Sequence, residues 1–94
     1  STWCDTMQCS TIADAKTRQP VRLAGEVRSV RIVPRAGADA LEVSVYDGDA
    51  FVTGVFLGRR KINGISPGRR IVLEGVMTLD HNQRVVYNPM YTLV

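Results

Sequence analysis

Arginine is the residue type in this chain with the most evident chemical use. Ten of the twelve basic residues are arginine, and only Lys16 and Lys61 are lysine. The guanidinium group is a planar fork of donors that can contact a phosphate through two hydrogen bonds and can stack on a base. The codon usage of a GC-rich genome explains the same excess equally well. The net charge of +3 and the pI near 9.2 therefore permit a polyanionic partner without requiring one.

Few residues could carry catalysis or hold a metal ion. The one histidine, His81, lies in a polar turn, so no serine or cysteine has an evident general base. Asp47 and Asp49 flank a glycine, which is first of all a turn arrangement. Cys4 and Cys9 do not have the spacing of a CxxC motif, and we expect two reduced thiols although a disulfide is geometrically possible. With no phosphate-binding G-x-x-x-x-G-K loop either, we expect no enzyme, no cofactor and no metal.

The elements that must position the arginines are short strands. We expect an irregular segment at 1–9, followed by one domain over 10–94. Ser10 or Thr11 is typical of a helix cap, which predicts a short helical turn over 12–15. From Val21 apolar residues alternate with polar ones, and the alternation slips at Ser29, which predicts a long first strand with a bulge or bend.

The rest of the chain is predicted as strands separated by turn-forming residues. The expected order is a loop at 34–39, strand 41–46, turn 47–50, strand 51–57, connection 58–68, strand 71–79, turn 80–83, strand 84–87, a bend at 88–89 and a final segment 91–94. Five short strands, one of them bent, are too few for an immunoglobulin sandwich and indicate an all-β barrel of the OB or SH3-like kind. Of these we expect a five-stranded OB-fold (Greek-key) barrel.

Several short motifs resemble a known family in their order along the chain. These are LEVSVYDG at 41–48, VFLGRR at 55–60, ISPG at 65–68, LEG at 73–75 and NPMY at 88–91. Together they resemble the nucleic-acid-binding OB-fold family that includes small stand-alone actinobacterial proteins and the wedge domain of branch-migrating DNA helicases. The resemblance covers 12–94 and departs from the family at Asp49 and Ala50, where a small pair ending in glycine is usual.

An OB fold binds oligonucleotides on strands two and three and between the loops that join strands one to two and four to five. Strand two should turn Glu42, Ser44 and Tyr46 outward, and Tyr46 is the preferred platform for stacking a base. The phase of strand three is open. We prefer the phase that turns Val52, Gly54 and Phe56 inward and leaves Phe51, Thr53 and Val55 outside, which makes Phe51 a second platform.

The basic residues expected to follow the phosphates fall into three groups. Arg28, Arg31 and Arg35 approach the first loop, and His81 and Arg84 belong to the loop between strands four and five. Arg59 and Arg60 begin the densest basic run after strand three. Each of these charges could also be an ordinary solvated side chain, and Tyr87 and Tyr91 are expected to close the barrel rather than to stack.

These observations predict a nucleic-acid-binding module with little sequence specificity, and single-stranded or structured DNA is favoured over RNA. The alternative is a protein-interaction module that uses the barrel face or an edge strand, and a third option is one domain of a larger enzyme. No run of about 18 apolar residues and no cationic segment followed by an apolar core is present. We therefore expect a cytoplasmic protein without a membrane partner, and the oligomeric state stays open.

Overall fold

The computed structural model describes residues 9–94, and all regular secondary structure in this range is β. The strands are β1 (Pro20–Arg35), β2 (Ala38–Tyr46), β3 (Phe51–Leu57), β4 (Arg70–Asp80), β5 (Gln83–Tyr87) and β6 (Met90–Leu93). Within 9–94 there is no helix long and apolar enough to cross a membrane. Apart from Cys9, the segment expected to be irregular at 1–9 lies outside the described residues.

Five strands form a closed ring. Around the ring the order is β1, β2, β3, β5, β4 and again β1, and every neighbouring pair is antiparallel except β3 with β5. β6 was not expected as a strand, and it pairs with β4 outside the ring. It follows directly after Asn88 and Pro89, where the chain bends because Asn88 takes a positive φ of 48°.

The long first strand closes the ring because it has two partners. Its first half, from Pro20 to Glu26, pairs with β4, and its second half, from Glu26 to Arg35, pairs with β2. The β1–β2 register shifts between Val27 and Ser29, which confirms the bulge predicted from the slip in alternation. Gly25 lies beside the crossing point, where an added Cβ would be 2.6 Å from the Tyr46 carbonyl oxygen.

Two connections differ from the expectation. The loop predicted at 34–39 is wrong, because β1 runs to Arg35 and β2 begins at Ala38, so only Ala36 and Gly37 form the turn. Both have positive φ, 49° and 81°, as a tight two-residue hairpin requires. The expected helical turn over 12–15 is also not seen as a helix. Residues 12–14 form only an isolated turn, in which the Ala15 N–H donates to the Thr11 carbonyl at 3.0 Å.

The core lies inside the ring and follows the period-two pattern. The largest fully buried side chains include Ile12, Leu23, Leu41, Ile71, Leu73 and Met77. Val52 and Phe56 of β3 pack in this core, as the preferred phase predicts. Val55 lies outside it but is not exposed. It forms a second buried cluster with Ala40 and Val85, so a second layer covers part of the outer surface of the ring.

Candidate functional site

A polar groove crosses the outer surface of β1, β2 and β3 beside the β4–β5 hairpin. The part of the groove next to the hairpin has a volume of about 420 Å³ and is lined by Ser44, Phe51, Thr53, Asn82, Gln83 and Arg84. A hollow of about 210 Å³ adjoins it and is lined by Ser29, Arg31, Glu42, Ser44, Thr53 and Gln83. Since Ser44, Thr53 and Gln83 line both parts, the two form one continuous groove.

Strand register explains why these side chains meet. Ser29 of β1 is opposite Ser44 of β2, and Ser44 is opposite Thr53 of β3, so three hydroxyl groups form one row across the groove floor. One step towards the β2–β3 turn, Tyr46 is opposite Phe51. One step the other way, Arg31 is opposite Glu42. The groove therefore has an aromatic end, a neutral polar centre and a charged end.

At the aromatic end Arg28, Tyr46 and Phe51 form a stack. The Tyr46 and Phe51 ring centroids are 4.5 Å apart with planes 31° from parallel, and the Arg28 guanidinium carbon lies 4.9 Å from the Tyr46 centroid. Tyr46 is half-buried, whereas Phe51 is 52% exposed and lines the groove. Phe51 therefore offers the more open ring, although the sequence ranked Tyr46 first.

At the charged end one arginine joins three strands, and we call Arg35, Glu42, Asp80 and Tyr87 the Arg35 clamp. Arg35 donates to Glu42 Oε2 from Nε at 2.9 Å and pairs with the same oxygen through Nη2 at 2.8 Å. Its Nη1 donates to the Tyr87 hydroxyl at 3.1 Å and to Asp80 Oδ2 at 3.5 Å. The Tyr87 hydroxyl donates in turn to Asp80 Oδ2 at 2.8 Å.

The clamp explains the second buried cluster. In the strand register Val55 lies between Glu42 on β2 and Tyr87 on β5. Because Arg35 bonds to both of these neighbours, its side chain bridges over Val55, which is 0% exposed. Glu42 itself is only 8% exposed and is the one buried charged residue among those described. Glu42 points outward as predicted, and the small part of it that stays accessible lines the hollow.

The hydrogen bonds of the clamp shift the titration of its members. The bond to Glu42 raises the pKa of Arg35 above its ordinary value. The Tyr87 hydroxyl donates to the ionised Asp80 carboxylate, which lowers the pKa of Asp80 and raises the pKa of Tyr87. Both pKa shifts favour the state in which Asp80 is charged and Tyr87 is neutral.

The structure brings some of the predicted site residues together and separates others. Arg28, Arg31, Tyr46, Phe51 and Arg84 lie on the groove or at its aromatic end. Arg35 is held in the clamp, and His81 lies at the hairpin tip with Nδ1 2.8 Å from Asp80 Oδ1. Arg59 and Arg60 lie on the β3–β4 connection outside the groove lining, where Arg60 pairs with Asp39 at 3.4 Å.

Some residues of the groove and the clamp were not among the predicted site residues, although three of them, Glu42, Ser44 and Thr53, were predicted to face outward. These eight residues are Ser29, Glu42, Ser44, Thr53, Asp80, Asn82, Gln83 and Tyr87. Gln83 and Tyr87 alternate with the inward Val86 and so have the outward phase on β5, which their spacing in the sequence could have indicated. Asp80 and Asn82 depend on how the β4–β5 hairpin leans over the groove, and no sequence signal carries that information. Tyr87 belongs to the outer surface, 38% exposed.

No protein-family model matches the sequence, and no curated protein matches it. Residues 9–94 hold no group of three or more histidine, cysteine, aspartate or glutamate side chains that could hold a metal ion. The groove and its chemistry are therefore the basis for assigning a function.

Proposed function

We propose that this chain is an OB-fold barrel that binds single-stranded DNA in the groove, with little sequence specificity and without catalysis. The order of the five-strand ring is that of an OB fold, and the groove lies where such folds bind oligonucleotides, across strands two and three and beside the β4–β5 hairpin. The observation that carries the proposal is the open ring of Phe51 at one end of a polar groove, with arginines on both sides.

The groove favours unpaired bases over a duplex. A base can stack on Phe51 only when its face is free, and such stacking tolerates every base because each has a π-face. The hydroxyl row of Ser29, Ser44 and Thr53 can rotate to donate or accept, so it imposes no fixed pattern of base edges. Stacking and adaptable hydroxyl groups together support binding with little sequence reading.

The charges predict modest affinity. Three arginines face the groove or its aromatic stack, Arg28, Arg31 and Arg84, but Arg28 pairs with Glu26 at 3.1 Å and Arg31 with Glu42 at 3.2 Å. Three phosphate contacts on a single strand give a slope of log affinity against log salt of about −2. Weak binding at physiological salt that strengthens steeply at low salt is therefore expected.

The test is binding of a twelve-residue thymidine oligonucleotide with an internal fluorescein, measured by anisotropy at several salt concentrations. Phe51→Ala should weaken binding by about 1–3 kcal/mol, the value of one stacked base. Met90→Ala is the matched control, because Met90 is 72% exposed but lies on β6, away from the groove. Equal effects of the two substitutions, or no binding by the wild type at low salt, would exclude the groove as a DNA site.

Arginine substitutions separate groove charges from general surface charge. Arg84→Ala should make the salt slope less negative by about 0.7, because one phosphate contact is lost. Arg60→Ala removes the same charge outside the groove and should leave the slope unchanged. A single-stranded RNA of the same length is the comparison for sugar preference, and tighter binding to RNA would reassign the ligand.

An interaction with a protein is the second candidate, favoured by β6. This strand has only β4 as a partner in the sheet order; its first residue, Met90, is 72% exposed, and Val94, directly after it, is 52% exposed. An edge strand with exposed apolar side chains can accept a strand from another chain. Loss of partner capture in Met90→Asp, with oligonucleotide binding absent from the wild type, would favour this function.

A further inference from the structure

The Arg35 clamp closes one end of the groove. The aromatic end, at Tyr46 and Phe51, leads to the β2–β3 turn, while the charged end runs into Arg35, Glu42 and Tyr87, which bridge β1, β2 and β5. From Tyr46 to Glu42 the groove follows five residues of β2, and the four steps between them span about 13 Å at the usual rise per residue. The groove is thus short and has one open and one closed end.

Several hydrogen bonds and a buried apolar cluster hold the closed end in place. Each of the three guanidinium nitrogens of Arg35 has a partner, and the Arg35 side chain bridges over Val55, which packs with Ala40 and Val85 in a buried cluster. Opening the clamp would expose that cluster and leave the Glu42 carboxylate, only 8% exposed, without its main partner. A strand that follows the groove floor would therefore meet the Arg35 side chain at this end.

The chemistry at the closed end distinguishes a hydroxyl from a phosphate. Glu42 Oε2 is occupied by two donors from Arg35, while Oε1 takes one hydrogen bond among the described residues, from Arg31 Nη2 at 3.2 Å. A carboxylate oxygen accepts two hydrogen bonds, so Oε1 can take one more donor. A terminal hydroxyl supplies that donor. A terminal phosphate has no donor for the carboxylate, and the two negative charges repel each other.

Arg31 lies beside Glu42 and can contact the phosphate next to the terminal hydroxyl. Its side chain is 69% exposed and lines the hollow, and one of its nitrogens is engaged by Glu42. Its remaining donors can contact the last internucleotide phosphate, one unit before the terminal hydroxyl. Arg31 and Glu42 together therefore offer a donor and an acceptor in the order in which the end of a strand presents a phosphate and a hydroxyl.

We propose that the groove binds the free end of a DNA single strand through its terminal hydroxyl, with the first bases towards Phe51 and the hydroxyl on Glu42. This inference rests on the proposed DNA binding. The ligand class is a strand terminus, and the same terminal hydroxyl chemistry is present at a 5′ end and at a 3′ end. The arms of the experiment distinguish the two ends.

The first test compares a linear thymidine 30-mer with the same sequence ligated into a circle, both labelled internally. The circle should bind roughly tenfold or more weakly, as expected when at least one stacked base is lost. The number of proteins bound to linear 10-, 20- and 30-mers should stay constant, because each molecule has the same number of ends. Equal affinity for the circle, or a stoichiometry that grows with length, would overturn end binding while leaving DNA binding itself intact.

The second test changes the ends and the clamp. A phosphate on one terminus, either 5′ or 3′, should weaken binding and so identify the docked end, and Glu42→Gln should remove this penalty because the amide is uncharged. Tyr87→Phe loosens the clamp without emptying the core and should raise the relative affinity for the circle. If neither terminal phosphate weakens wild-type binding, the hydroxyl assignment is wrong, whereas no binding to any oligonucleotide rejects the proposed function instead.

Discussion

Substitution of Asp47 should destabilise the protein more than its position in an exposed turn indicates. Its Oδ1 accepts hydrogen bonds from the Asp49 and Ala50 N–H groups, both at 3.0 Å. Its Oδ2 accepts from the Ile12 N–H at 2.9 Å, across 35 residues of sequence. Asp47 therefore fixes the β2–β3 turn and holds the N-terminal turn, whose Ile12 side chain is 0% exposed, against the ring.

The size of the effect follows from the three donors. In Asp47→Ala the Ile12 N–H loses its partner beside the core, which costs about 1–3 kcal/mol. The Asp49 and Ala50 donors can turn to water, so their loss adds about 0.5–1 kcal/mol in total. We expect a decrease in unfolding free energy of about 1.5–4 kcal/mol, which corresponds to a lower Tm by roughly 6 °C or more.

The effect should also depend on pH. Burial alone would raise the pKa of Asp47, but the N–H donors of Ala50, Ile12 and Asp49 outweigh it and lower the pKa. The stability that Asp47 contributes is therefore fully present above its unfolded-state pKa of about 3.9 and is lost as the pH falls through the lower folded-state pKa. Asp47→Asn should flatten the acid limb of the stability curve.

Urea unfolding followed by circular dichroism at pH 7 and from pH 5 to 2 measures both effects. The matched control is Asp49→Ala, because the Asp49 side chain belongs to the same turn but makes no hydrogen bond or ion pair within 9–94. A loss in Asp47→Ala within 0.5 kcal/mol of that in the control would refute this account of the turn.

Two further substitutions test the fold and the clamp. Gly25→Ala places a Cβ 2.6 Å from the Tyr46 carbonyl oxygen and 2.8 Å from Val45 Cγ1, so unfolding free energy should fall by about 1–3 kcal/mol, and an unchanged urea midpoint would contradict the close crossing. Tyr87→Phe removes the hydroxyl that bonds Asp80 and Arg35, so stability should fall by about 0.5–1.5 kcal/mol. Because the pKa of Tyr87 is raised, its contribution is fully present below about pH 10 and is lost as the pH rises through the folded-state value. In an alkaline absorbance titration, the variant should lack a phenol transition that the wild type shows above the ordinary phenol range.

Alternation and turn chemistry predicted most of the ring. The bulge after Val27 could be predicted because the phase of alternation changes there, and β3 was predicted with its observed bounds, Phe51–Leu57. The loop at 34–39 was wrong because Pro34 and Gly37 are typical of loops, although Pro34 pairs with Asp39 in the hairpin. β6 was missed because four residues after a proline show no clear alternation.

The candidate site was less predictable for a physical reason. Period-two alternation gives the face of a strand on which a side chain lies, which correctly turned Tyr46 and Phe51 to one side. Alternation does not indicate whether charged side chains from distant parts of the sequence cover that face. Arg35 and Asp80 are 45 residues apart in sequence, and their meeting buries Glu42 and Val55 on a surface that the sequence leaves open.

The most direct test of the proposed function is an NMR titration of the uniformly labelled protein with a linear thymidine hexamer at low salt. Binding in the groove predicts the largest shifts at the backbone amides of Ser44, Thr53 and Gln83 and at the ring of Phe51, and no shift at Met90 on β6. Shifts centred on β6 or on the β3–β4 connection, or none at a saturating concentration, would contradict single-strand binding in the groove.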